Sequence, residues 1–462
     1  MENPNNFSFA QKFIGGEVHF AFWKILTRFL SFFVSLIILS SLKVYGYAVF
    51  LLILSAYGAM SGFLSMGGGV VSNDLIRFVG EGQEDRAKRL FFEYHGVRLF
   101  FGFLFFAVIF FGANSIFPSY GDEFVNQVKV IAFLFIPEII FSSFKNLMGM
   151  RLDFAGLASR TFMVKGVQLA VLVYFWTIGD VGLKEIFISM ILGSLFASIF
   201  MIKRILRKNK VWFSVGFSPK SEMKTIFMTY GRWDIWRQFF MMILSRIQPW
   251  IVKIFVNTEA VAIFGVADLM VGMIKDVIPF NTLGTLIPRI AGEKARIQKV
   301  FNLGTKIAMV LSLATCLLSY IFVPPLINSF FPQYRESLPL FYFLLAFLPV
   351  SSVSIVAAYC IIALRKQKFL FWFSSSKQII KVLLDTFLTY SFGLWGLVIS
   401  SITITMASFF ASSYYIVKRK PGGILVTADT FVFSKDDYAK IKFAIGDYLK
   451  KTKRTAKTYF NF

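Results

Sequence analysis

The chain has 462 residues, 56% of them hydrophobic, with 59 Phe and a mean hydropathy of +0.67. That composition excludes an ordinary soluble globular domain and indicates an all-α polytopic membrane protein. A formal net charge of +24 would suggest nucleic acid in a soluble protein, but the way the charges are distributed along this chain argues against that partner.

A membrane-spanning helix needs about 20 predominantly apolar residues, and about twelve stretches reach that length. They lie near 20–40, 46–71, 98–117, 128–149, 161–178, 184–202, 233–255, 260–284, 305–328, 338–362, 369–391 and 396–417. The first carries Lys24 and Arg28 at i, i+4, on one helix face. The second ends in "MGGGV" at 66–70, glycines that loosen its end. The fourth holds Glu138 beside Pro137. That acid is a proton-linked site or a buried hydrogen-bonded carboxyl. The seventh, "GRWDIWRQFFMMILSRIQPWIVKIFV" from Gly231 to Val256, holds five charges in an apolar run. Arg232 and Lys253 fall at its ends and read as interface anchors. Arg98, Lys145 and Lys165 get the same reading. Asp234 and Arg237 stand at i, i+3 and can pair. Arg246 lies near mid-span with no partner in its own helix. The eighth carries Asp268, Lys275 and Asp276. The eleventh carries Lys377, Lys381 and Asp385 in one stripe. Pro249, Pro279 and the Pro324–Pro325 pair sit inside spans, where breaks are tolerated if neighbours satisfy the freed backbone groups.

Alternate loops hold most of the Lys and Arg. Arg77, Arg86, Lys88 and Arg89 follow the second span, Arg151 and Arg160 the fourth, and Lys203, Arg204, Arg207, Lys208, Lys210, Lys220 and Lys224 the sixth. The eighth and tenth are followed by further basic loops. The intervening loops, such as "PSYGDEF" and "IGDVG", are nearly free of them. This positive-inside pattern places both termini in the cytoplasm and attributes the charge to topology and to attraction for anionic lipid. The tail 418–462 is too polar to span. Tyr438, Ile441, Ile445 and Tyr448 recur at helical spacing there, so the tail is an amphipathic helix on the inner leaflet or a solvated segment.

The longest basic loop, 203–226, divides the spans six and six. "FWK" at 22–24 and "IWR" at 235–237, "VYGYAVF" at 44–50 and "IFGVADL" at 263–269, and "IRFVGEG" at 76–82 and "PRIAGEK" at 288–294 recur in the same order. They imply two six-helix bundles, 1–210 and 211–417, related by an internal repeat around a central cavity.

No phosphate-binding loop is present, so ATP does not drive the chain directly. His19 and His95 lack neighbours at metal-ligand spacing, so no metal or other cofactor is expected. Cys316 and Cys360 fall in spans and read as small apolar core residues. No outer loop is large enough for a catalytic domain, so the chain is read as a non-enzyme. What remains is the set of charges inside spans, which are costly and face bundle interiors or aqueous cavities. The mid-span cations are Lys24, Arg28, Arg237, Arg246, Lys275, Lys377 and Lys381. The acids are Asp234, Asp268, Asp276 and Asp385. Mutual ion pairing leaves cations in excess, and a cationic cavity suits an anion, for which Arg offers bidentate contacts.

The "YG" and "FG" that open the second and eighth helices belong to a wider set of motifs. "RFVGEGQEDRAKRLF" and "PRIAGEKARIQKVF" stand at the inner ends of those helices. "FFPQYRESLPLFYFLLAF" precedes the tenth helix and "FGLWGLVISSI" opens the twelfth. In this order, over roughly residues 10–417, the chain resembles the polysaccharide-transporter branch of the multidrug/oligosaccharidyl-lipid/polysaccharide exporter superfamily, the bacterial flippases of O-antigen and capsule repeat units. The resemblance implies alternating access in the cytoplasmic membrane and an undecaprenyl-pyrophosphate-linked oligosaccharide as substrate. By position it implies Lys24, Arg28, Arg237 and Arg246 as cavity cations on the first and seventh helices. Members near this branch couple to H⁺ or Na⁺, and no residue here selects between them. From their own placement inside spans, not from the resemblance, Asp234, Asp268, Asp276, Asp385 and Glu138 are the ion-coupling or ion-pair candidates. Polysaccharide polymerase or glycosyltransferases would be its partners. A cation-coupled multidrug exporter of the same superfamily and a membrane glycosyltransferase or polymerase are the alternatives.

Overall fold

The computed structural model describes residues 9–151, 153–179, 181–228, 232–278, 294–363 and 367–418. Among them the chain is helical and has no strand. The basic tail beyond Lys418 lies outside the described residues, as do Pro279 and the side chains of Asp234, Arg237 and Asp276.

Over the described residues, each of the twelve apolar stretches is a helix or a pair of consecutive helices. Uninterrupted runs give long single helices: α1 (Phe9–Ser41), α4 (Glu84–Ile116), α7 (Phe154–Thr177), α8 (Leu183–Lys208), α12 (Thr258–Val277), α13 (Lys294–Phe330), α16 (Gln367–Phe392) and α17 (Leu394–Lys418). Glycine or proline divides the others. α2 (Val44–Phe63) and α3 (Gly68–Gly80) flank Gly67, whose φ of +71° suits glycine. α5 (Gly121–Ala132) and α6 (Phe135–Met150) separate just before Pro137, because its ring crowds the carbonyl four residues back. α10 (Arg232–Arg246) and α11 (Gln248–Phe255) separate at Ile247, before Pro249. α14 (Ser337–Ala346) and α15 (Leu348–Ala363) meet before Pro349 at a bend of 48°. Pro324 and Pro325 do not end α13, which runs through both. A short helix, α9 (Glu222–Ile226), lies in the long basic loop.

Among the described residues seven helical segments are long and apolar enough to cross a membrane, and the bent α14–α15 pair makes eight. The remaining stretches, α7, α10 with α11, α12 and α16, each carry two or more ionisable residues. The chain is a multi-pass membrane protein.

The described helices fall into two compact units. The first gathers α1 to α11, the start of α12 to Gly265, the turn Phe330–Arg335 and the segment Ser374–Leu394. Within it α1 packs along α7 and α7 along α8, α4 meets α3, α5 and α6, and α2 lies against α10. α2 and α10 approach closely because Gly58 and Gly62 present no side chains. A Cβ on Gly58 would sit 2.9 Å from Arg246 Nε, and one on Gly62 would occupy the space of Met242 Sδ. This is the small-residue packing by which helices associate in lipid. One end of the unit has a conventional core, with Leu75, Phe78, Leu90, Phe91 and Trp212 buried together. Its outer faces are apolar. Phe100, Phe103 and Phe111 of α4 and Phe196, Ile199 and Phe200 of α8 are all exposed, which is stable only in a lipid solvent.

The second unit comprises Val266–Ser329, Glu336–Phe373 and the segment from Trp395 onward. Tyr320 and Tyr342 pack ring to ring at 5.0 Å, and Phe343 meets Trp395 edge-on at 5.1 Å. Cys316 Sγ donates to the Leu345 carbonyl at 3.3 Å, Cys360 is fully buried, and both thiols are free.

Candidate functional site

The site in the first unit starts from a broken helix. Pro249 has no N–H, and the Trp250 N–H turns to the Ile247 carbonyl at 3.0 Å rather than to Arg246. The Arg246 carbonyl is thereby freed, and the Ser55 hydroxyl of α2 donates to it. α10 ends there, and Arg246 projects beside Gly58 into a cavity of about 720 Å³.

Five helices supply the walls: α2 with Tyr57, Ser61 and Gly62, α4 with Arg98, α6 with Glu138, α8 with Met190, and α10 with Gln238, Met241, Met242 and Ser245 beside Arg246. The hydroxyls of Ser61, Ser65 and Ser245 each donate to a carbonyl of their own helix or turn, which leaves their oxygens as acceptors. The three methionines give the wall an adaptable apolar part.

Among the described residues the lining charges are two guanidiniums and one carboxylate. Glu138 accepts from Ser194 of α8 at 2.9 Å and from Arg160 of α7 at 3.5 Å, and Arg160 also donates to Ser194 at 3.2 Å. The carboxylate is thus engaged from behind the wall by a buried cation. Arg98 is 4% exposed and its guanidinium lies 5.1 Å from the Tyr94 ring. Its Nε has no hydrogen-bond partner among the described residues. A buried guanidinium nitrogen without an acceptor is costly. The lining therefore offers two guanidiniums, Arg98 and Arg246, suited to an acceptor-rich anion.

The predicted site residues are scattered. Arg246 and Glu138 line the cavity. Lys24 and Arg28 are half-buried on α1 and are not part of this lining. Lys381 donates to Asp385 one turn on, and Asp385 is 1% exposed, so this cation is paired. Lys377 is half-buried on the same helix, while Asp268 and Lys275 are exposed on α12 in the second unit. Lys253 lies over the Tyr120 ring at 3.2 Å, and Arg232 and Lys145 are exposed. Lys165 donates to Gln168 at 2.8 Å.

Three residues differ from their sequence reading. Lys165 is not an interface anchor, because it lies at the middle of α7 and is half-buried. Arg98 is not an interface anchor, because α4 begins at Glu84 and places it at mid-helix. Arg160 is not a loop charge. The Asp153 carboxylate accepts from the Gly156 N–H and caps α7, so Arg160 lies two turns inside the helix and is buried. The signals were the acidic pair Glu84–Asp85, favoured in a first helical turn, and Asp153, a favoured N-cap. Among the described residues no group of His, Cys, Asp or Glu is arranged to hold a metal ion.

No family model and no curated protein matches the chain. Solved structures do. A multidrug resistance MATE family transporter of the MOP superfamily, in an inward-facing conformation, matches with a TM-score of 0.67 at 16% identity, covering 84% of this chain and 94% of that one. The lipid II flippase MurJ, in an inward closed conformation, matches with a TM-score of 0.66 at 11% identity, covering 93% and 90%. A MOP superfamily transporter from Pyrococcus furiosus, described by a binding pocket of reversed polarity, matches with a TM-score of 0.64 at 15% identity, covering 87% and 95%. The chain has the fold of these transporters.

Proposed function

We propose that the chain is a MOP-superfamily transporter of the polysaccharide branch. It moves an undecaprenyl-pyrophosphate-linked oligosaccharide from the inner to the outer leaflet of a bacterial cytoplasmic membrane by alternating access, with both termini cytoplasmic and bundles at 1–210 and 211–417. The observation that carries this reading is the charge of the cavity. Arg98 and Arg246 line it, and Glu138, the one acid among its described lining residues, is already held by Arg160 and Ser194. A pyrophosphate offers several acceptor oxygens to two guanidiniums, while the polyprenyl chain stays in lipid between helices. The resemblance in fold to a lipid II flippase supports a lipid-linked substrate.

The alternative is a cation-coupled multidrug exporter, supported by the likeness to a multidrug resistance transporter. A cationic drug would meet like charge at Arg98 and Arg246, which counts against it.

The test is transbilayer movement of a fluorescent polyprenyl-pyrophosphate-linked oligosaccharide in vesicles holding the purified full chain. The chain speeds movement, and Arg246→Ala or Arg98→Ala slows it by about tenfold or more, the worth of a charge-assisted hydrogen bond. Export of a cationic dye instead, with no lipid movement, would favour the multidrug reading.

A further inference from the structure

The basic loop after α8 is not a slack connection. Its first turn, Lys210–Phe213, is a 3-10 helix that points Trp212 inward, where it is 6% exposed and donates through Nε1 to Glu84 at 2.6 Å. Arg151 grips the same carboxylate through two nitrogens, at 2.8 and 3.0 Å. Further along, Glu222 is clasped by Arg86 at 2.7 and 2.8 Å, and Lys88 donates to the Val215 carbonyl at 2.6 Å. These contacts fix the strap onto α4 and the α6–α7 turn.

A strap held inward at Trp212 must turn its neighbours outward. Val211 is 49% exposed, Phe213 74% and Phe217 52%, and Phe217 rests on Phe92, itself 47% exposed. This apolar surface continues the outward face of α8, where Ile199, Phe200 and Leu206 are exposed. It therefore lies where a lipid-facing helix leaves the bilayer. Charge surrounds it. Residues 203–228 hold seven Lys or Arg and one acid, Glu222, which Arg86 already holds. Lys203, Arg207, Lys210, Lys220 and Lys224 are all exposed. Aromatic side chains ringed by lysine fit the headgroup zone of a negatively charged leaflet.

We infer that this strap is an anionic-lipid docking surface, with Phe213 and Phe217 entering the acyl boundary and Lys210, Lys220 and Lys224 binding lipid phosphates. It is separate from the substrate cavity and requires no particular cargo. Because the clasps fix the surface in advance, lipid binding need not order it.

The test places an environment-sensitive fluorophore on Phe213→Cys, with Cys316 and Cys360 replaced by Ala, in the full chain in vesicles. Brominated phosphatidylglycerol should quench it more strongly than brominated phosphatidylcholine at equal mole fraction. The expected ratio is about fivefold or more, the enrichment one lysine gives near an anionic surface. High salt on this protein, and Lys210→Glu with Lys220→Glu and Lys224→Glu, should each bring the two lipids level. Because these lysines are exposed, the variant should keep the parent's monodisperse elution. Equal quenching by both lipids at low salt overturns the inference, and so does quenching by neither, which would mean that protein or water covers the strap.

Discussion

The Ser55 hydroxyl donates to the main-chain carbonyl of Arg246, the last residue of α10. One weak-looking polar group on α2 thus occupies the acceptor that the helix break leaves open. An unmet carbonyl costs about 1–3 kcal/mol. Membrane-embedded hydrogen bonds measure smaller, about 0.6 kcal/mol on average and up to about 1.7. Ser55→Ala should therefore lower the thermal unfolding midpoint in detergent only modestly. It should slow lipid movement more, because the break aims Arg246. Ser55→Thr retains the hydroxyl and should behave close to the parent. Wild-type transport in Ser55→Ala would show that the break does not depend on this bond.

The α2–α10 contact gives a test of size rather than polarity. A Cβ on Gly62 enters the space of Met242, and overfilling a packed contact costs about 1–3 kcal/mol. Gly62→Ala should lose stability, and adding Met242→Ala should restore most of it. Equal midpoints for Gly62→Ala and the parent would mean that the helices part without cost.

Much of this molecule was legible in the sequence because lipid imposes a simple rule. Among the described residues every apolar run of spanning length is helical, and most helix breaks fall at a Gly or just before a Pro. Arg246 stood out because no residue of its own helix could pair with it. Arg98 and Arg160 did not stand out, because their burial depends on where α4 and α7 begin. Helix starts depend on caps such as Asp153, which weigh little beside hydropathy. Pairing across helices was also hidden. Nothing in the local sequence around Pro137 names Arg160 or Ser194 as the partners of Glu138, since they lie 22 and 56 residues away.

That pairing predicts an asymmetry. Glu138 faces the cavity on one side and Arg160 on the other, while Arg160 is buried. Glu138→Gln strands Arg160 and should cost about 1–3 kcal/mol of stability. Removing both charges with Arg160→Met should recover part of that loss, since an apolar replacement of a whole buried pair is often neutral. For binding the sign reverses. Glu138→Gln removes an acid from the cavity lining and should tighten binding of a polyprenyl pyrophosphate to folded protein. Weaker binding by a well-folded Glu138→Gln would show that the acid contacts substrate favourably.

The last prediction concerns pH and the end of the bundle outside the spans. Burial pushes the Asp153 carboxyl up. Its hydrogen bonds with Arg204 at 2.6 and 2.7 Å and with Lys208 outweigh that and hold it below the usual carboxylate range. A folded pKa below the unfolded one means that the unfolded chain binds the proton more readily. The stabilisation is then fully present above the unfolded value, about 3.9, and is lost as pH falls through the folded value. Above pH 5 the midpoint should be insensitive to this group. Below about pH 4 it should fall, and Asp153→Asn should start lower and fall less steeply. The capping bond to the Gly156 N–H survives in Asn, which also caps well, so the difference isolates the charge. Thermal unfolding of both proteins in one detergent from pH 6 to pH 3 measures it. Parallel curves would remove Asp153 from the acid sensitivity of the fold.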